Sequence, residues 1–220
     1  RAGSSIYSLV DAVILHALPY RDAEALVSIT ERMPQFLVMS VSYPDYQDWQ
    51  KAQRSFTALA AMRGDSFNLT GVDRPEQLDG RMVSAELLPL LGVAPALGRN
   101  FLPEEDRPSG APVALLTYGF WQRRFGGDRG IVGRTIGLNG RAHTVVGVLP
   151  AGFRSVYRWE GTALGSVYVP LGQLDRQLVA RGDDAGISVV GRLRPGVSLA
   201  QARSELEGIG RELGQKYPDS

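Results

Sequence analysis

ISVVGRLRPGVSLAQARSELEGIGRELGQKY, residues 187–217, decides how the rest of the chain is read. Residues 187–193 are mainly apolar and rich in β-branched side chains, which predicts a short strand. Pro195-Gly196 then turns the chain. Ser198 followed by Gln201 is a capping box, in which the serine oxygen and the glutamine side chain each satisfy an orphan N–H of the first turn. Leu199, Ala202, Leu206, Ile209 and Leu213, with Lys216/Tyr217 at the end, recur at helical spacing and form one apolar seam. Such a seam has to be buried against another layer. A strand, a turn and an amphipathic helix in this order predict an α+β architecture.

The N-terminal part reads as the same unit. Residues 25–31 predict a strand. Ser42 is a candidate N-cap, Pro44 lies in the first turn where its missing N–H costs nothing, and Asp45 stands three residues after the cap. Tyr46, Trp49, Gln53, Phe56, Leu59 and Met62 then predict a helix over 43–63, stopped at Gly64. Its aromatic stripe reads as core rather than as a cofactor or base-stacking site. Trp49, Phe56, Leu206 and Leu213 are the expected core anchors. Before this unit, Ile6, Leu9, Val10, Val13, Ile14 and Leu18 predict a short amphipathic helix over 5–18, ended by Pro19-Tyr20. It either packs on the domain or is the outer end of a membrane helix.

The middle of the chain is β-rich. Residues 66–70 and 77–84 read as strands joined by a turn at 71–75, and Ser84 precedes a short helix that Pro89 restricts to a turn or two. Residues 112–117 form a strand of buried type. A helix follows and stops at Gly126-Gly127. Residues 134–138 and 141–148 flank Asn139-Gly140, a pair suited to the positive φ of a type I′ turn, and so predict a hairpin. Residues 166–170 predict one more strand. Strand–helix units at both ends with a β-rich middle suggest one subdomain inserted into another. The expected division is a juxtamembrane helix over 1–20, one subdomain from 21–92 with 171–220, and an inserted subdomain over 93–170.

Composition narrows the function. The 220 residues are 44% hydrophobic, enough for a packed core. The formal charge is +1, against a binder that relies on neutralising nucleic-acid phosphates. Zero Cys excludes a disulfide framework, a thiolate nucleophile and any Cys-ligated metal, and His16 and His143 alone make a His-rich metal site improbable. Of the 24 basic residues only Lys51 and Lys216 are lysines, a bias that reads as genome composition. No run of about 20 apolar residues spans a membrane, and no signal-peptide pattern is present. A start at Arg1 and a stop at Ser220 suggest a piece of a longer protein.

No constellation of acid, base and nucleophile emerges. The glycine-rich run from Gly127 through Gly130 to Gly133 follows a helix and precedes a hairpin, the reverse of a dinucleotide fingerprint, and so reads as a turn. Neither lysine follows a phosphate-cradling loop. Glu104-Glu105-Asp106 lacks the alternating oxygen ligands of a calcium loop and reads as a solvated, helix-capping acidic turn. Asn68-Leu69-Thr70 matches a glycosylation acceptor but reads as a strand end. His143, in the hairpin, reads as structural or exposed. The expected catalytic, cofactor-binding and metal-binding residues are therefore none.

Several strings taken in order are more specific. LVDAVILHALPY, SYPDYQDWQ, FNLTG and VSAELLPLLGVAPALGRNFLPEED come first. PVALLTYGFWQRRFGGDRGIVGRTIGLNG, TVVGVLPAGF, VYVPL and RLRPGVSLAQARSEL follow. Over residues 6–218 this series resembles the extracytoplasmic core domain of MacB-like ABC transporter permeases, and most of all the large acidobacterial-type permeases. The resemblance implies a porter-like subdomain of β-α-β units carrying an inserted, β-rich, sabre-like subdomain. It implies a place between the first two transmembrane helices, on the periplasmic side of the inner membrane, in a protein that is membrane-anchored as a whole. Implied partners are the permease's own transmembrane helices, a separate ABC ATPase subunit or domain, a permease dimer partner, and a periplasmic adaptor or substrate, with no nucleic acid. The implied role is non-enzymatic, passing ATP-driven motion across the membrane to export. Family members continue past the last helix into another strand, and Pro89 stands where many carry a different residue. The competing readings are an extracytoplasmic ligand-binding or sensor module, and an enzyme using Glu104, Glu105 or Asp106 as acid or base.

Overall fold

The computed structural model describes residues 9–14, 18–33, 36–156, 164–174, 180–181 and 185–218. In chain order the elements are β1 (Leu9–Ile14), β2 (Leu26–Met33), β3 (Phe36–Met39), α1 (Tyr43–Ala52), β4 (Phe56–Thr70) and β5 (Glu76–Val83). Then come α2 (Leu87–Leu91), β6 (Leu97–Gly98), β7 (Val113–Leu116), α3 (Tyr118–Phe125), β8 (Thr135–Leu138) and β9 (Arg141–Val148). The last three are β10 (Val167–Pro170), β11 (Ser188–Leu193) and α4 (Leu199–Lys216). The mixed α+β class is as the sequence predicts.

The chain divides into two compact units, one of residues 1–61 with 175–220 and one of residues 62–174. The second is a continuous stretch that interrupts the first. The sequence division at 92/93 and 170/171 lies elsewhere: β5 and α2, expected in the outer subdomain, belong to the inserted unit. The first crossing falls inside β4, where composition gives no break.

In the first unit β11 lies between β2 and β4, and β1 and β3 pair with β2. β2 and β11 are antiparallel, with Ile29 opposite Val189 and Val27 opposite Gly191. α1 and α4 touch each other, and α4 lies on β1. Leu26, Ile29, Trp49, Phe56, Leu59, Val189, Ala202 and Leu206 are buried. Of the four expected anchors, Trp49, Phe56 and Leu206 are in this core, whereas Leu213 is only half-buried.

Two helix expectations fail here. Residues 9–14 are a strand paired antiparallel with β2, from Leu9 opposite Arg32 to Ile14 opposite Val27. A six-residue, mainly apolar segment with Val10, Val13 and Ile14 fits either structure, and the available edge of β2 selects the strand. The rest of the expected 5–18 helix lies outside the described residues, apart from Leu18. The second helix ends at Ala52 rather than 63. Gln53 is extended, its side-chain carbonyl accepts from the Phe56 N–H at 2.9 Å, and the N–H groups of Arg54 and Ser55 go to the Glu205 carboxylate at 2.8 and 3.1 Å. Donors that would have extended α1 are thus taken by side chains, and FTALAA, a good helix former, joins β4. Here tertiary pairing overrides local propensity.

In the second unit the strand order from the Met62–Thr70 part of β4 is β5, β10, β7, β9, β6, with β8 pairing both β4 and β9. β4 and β5 are antiparallel, Leu69 opposite Glu76, around the expected turn. β10 runs parallel to β5, and β7 parallel to β9 with α3 in the connection. Leu78, Leu87, Leu115, Leu116, Trp121, Val145, Val148 and Tyr168 form the core. α3 ends, as read, at Gly126 in the left-handed region. The hairpin is also as read: Thr135 to Leu138 pair with Thr144 to Arg141, and Asn139 and Gly140 have φ of 52° and 78°.

Candidate functional site

The acidic turn is solvated only at Glu104, whereas Glu105 is buried and Asp106 half-buried. Glu105 is 6% exposed, and its carboxylate receives both terminal nitrogens of Arg99 at 3.0 and 2.7 Å and the Leu102 N–H at 2.8 Å. Burial pushes this carboxyl up, but the Arg99 fork and the Leu102 N–H outweigh it and hold it below its ordinary range. Asp106 accepts the Ala85 N–H at 2.8 Å on one oxygen and the Gly172 N–H at 2.6 Å on the other. Burial raises its pKa, against those two donors, and the neighbouring Glu86 charge adds to the rise. Gln173 donates to the Glu105 and Ala111 carbonyls, both at 2.9 Å. The turn therefore fastens the approach to α2 and the end of β10 to one another. Both oxygens of Asp106 hold a backbone donor, which fits a fastening role.

The remaining candidates are also structural in their geometry. His143 is buried, with Nδ1 2.9 Å from the Arg141 carbonyl, and burial lowers its pKa. In the glycine-rich run, Asp128 accepts from Gly130 N–H at 2.8 Å and pairs with Arg134 at 2.7 Å, while Trp121 Nε1 donates to the Asp128 carbonyl at 2.9 Å. A carboxylate placed there is unsuited to cradling phosphate. Asn68 lies in β4, donating its N–H to Asn139 Oδ1 at 2.8 Å while its carbonyl accepts the Asn139 N–H at 2.9 Å. Among the described residues no group of three His, Asp or Glu side chains is placed to hold a metal ion.

The polar contacts that sequence reasoning missed belong to α1 and α4. Ser42 caps α1 as expected, accepting the Asp45 N–H at 3.2 Å and donating to the Asp45 carboxylate at 2.5 Å. Glu205 of α4 receives Arg54 and Ser55 at the exit of α1. Arg181 pairs with Asp45, and with Asp48 at 2.6 Å, and its guanidinium carbon stands 3.8 Å from the centre of the Tyr217 ring. The spacing of Asp45 and Asp48 is a legible signal, since residues three apart share a helix face and two carboxylates there invite a cation. Nothing in the pattern of residues 171–186 marks Arg181 as that cation.

Among the described residues these two units contain packed core and bonded polar junctions. The fold is similar to the periplasmic region of MacB from Actinobacillus actinomycetemcomitans, with a TM-score of 0.60 and 14% identity over 98% of this chain and 95% of that one. It is similar also to the extracellular domain of the noncanonic ABC-type transporter YknZ from Gram-positive bacteria, with a TM-score of 0.60 and 16% identity over 82% of this chain and 86% of that one. The sequence matches the MacB-like periplasmic core domain family over residues 4–209, and the chain belongs to that family. A comparison with curated proteins finds no match. Among the described residues no helix is long and apolar enough to cross a membrane.

Proposed function

We propose that this domain is a non-enzymatic transmitter, which carries ATP-driven motion from the membrane part of its permease to the export step outside. The observation that supports this most is the division into two separately packed units, the first crossing between them lying within β4. Packed cores resist compression and pass displacement on rather than absorbing it. The first unit corresponds to the porter-like part and the inserted unit to the sabre-like part. The partners are the permease's transmembrane helices, its ABC ATPase, a second permease copy, and an adaptor or exported substrate. Domain deletion tests the reading. A permease lacking residues 20–218, reconstituted with its ATPase in proteoliposomes, should keep hydrolysing ATP and lose export. Export at the normal rate without the domain would overturn the proposal.

A further inference from the structure

The apolar seam of α4 does not reach its end. Ala202, Leu206 and Ile209 are buried, Leu213 is half-buried, and residues 214–216 are exposed. The last carbonyls of a helix have no partner inside it, so an end that the core does not hold frays. Here another contact holds it. Asp45 and Asp48 stand one turn apart, in the first turn and the middle of α1, and Arg181 gives one terminal nitrogen to each. The same guanidinium lies over the ring of Tyr217, the residue directly after α4. Side-chain exposure is 16% for Arg181, 18% for Asp45 and 27% for Asp48, so the cluster is largely covered yet within reach of ions.

We propose that Arg181, Asp45, Asp48 and Tyr217 form a clasp that ties the C-terminal end of α4 to the first turn and middle of α1, with Arg181 as the positioning residue. The helix pair is then fastened at both ends. Glu205 holds the exit of α1, and the clasp holds its entrance against the far end of α4. The inference concerns the first unit alone and stands whether or not the domain transmits motion. Arginine suits this place because a planar fork can meet two carboxylates and stack on an aromatic face at once, and the compact ammonium of lysine cannot.

Amide hydrogen exchange in the whole chain tests this. Arg181→Ala and Arg181→Lys should both speed exchange at residues 213–217 by about tenfold or more, the scale of losing charge-assisted hydrogen bonds in a partly covered site. Exchange in β7 and β9 should stay as in the parent. Millimolar ethylguanidinium should slow exchange at 213–217 in Arg181→Ala and leave the parent unchanged, because a free guanidinium refills the place between the carboxylates and the ring. Tyr217→Leu keeps both ion pairs and removes the stack on Arg181 together with the ring's contact to Lys216, so it reads the same end if Arg181→Ala does not fold, and it too should exchange faster at 213–216. Unchanged exchange in these variants, full restoration by lysine, or no effect of ethylguanidinium on Arg181→Ala would each overturn the clasp.

Discussion

Two phenylalanines of β4 use one device in the two units. A Cβ built on Gly191 of β11 would lie 2.5 Å from the Phe56 ring, and one built on Gly80 of β5 would lie 2.5 Å from the Phe67 ring. Each ring thus covers the bare backbone of a glycine on the neighbouring strand, which replaces the packing that a glycine in a strand forfeits. Phe56 is fully buried in this position. Phe56→Ala should destabilise the first unit by about 3–5 kcal/mol, because it opens a cavity and uncovers Gly191. Chemical denaturation checks it, and an unchanged midpoint would show that the ring contributes no packing. His143 gives a pH test with a definite sign. Its native pKa lies below the ordinary 6.5, so between that lowered value and 6.5 the unfolded chain takes up a proton that the native chain does not. Stability contributed by neutral, buried His143 is complete above this window and is lost as the pH falls through it. His143→Gln should flatten that part of the stability–pH curve, and equal slopes in parent and variant would contradict the assignment.

Among the elements, the hairpin of β8 and β9 shows what a local signal can do. Asn139-Gly140 demands positive φ at both residues, and Asn139 joins the turn to β4 through both the N–H and the carbonyl of Asn68. Gly140→Val should cost about 1–2 kcal/mol or more, since a β-branched residue is strained in the left-handed region. A thermal melt of the variant that superimposes on the parent would argue against the turn. Signals of this kind made the hairpin, α3 and the capping box of α4 legible, because a cap or a turn is written in a few adjacent residues. The tail of α1 and residues 9–14 were not legible. Their structure is chosen by partners far away in sequence, Glu205 at the exit of α1 and the edge of β2. The acidic turn was misread for the same reason. Three consecutive acids look like a solvated surface until the fold brings Arg99 to Glu105 and the Ala85 and Gly172 N–H groups to Asp106, leaving Glu104 exposed.

At the level of the whole molecule, the order of short strings pointed to the family where no single motif did, and the family match over residues 4–209 agrees with it. The place of the division was hidden, since β4 runs through the first boundary as one continuous strand. The proposed transmission requires the two units to move relative to each other during export. The domain contains no cysteine, so a pair of cysteines, one introduced in each unit, offers a clean site for a reversible cross-link. In the full-length permease reconstituted with its ATPase, export is measured before cross-linking, after it, and after reduction. The account predicts that the cross-link abolishes export while basal ATP hydrolysis continues, and that reduction restores export. Export at the normal rate through the cross-linked protein would contradict it.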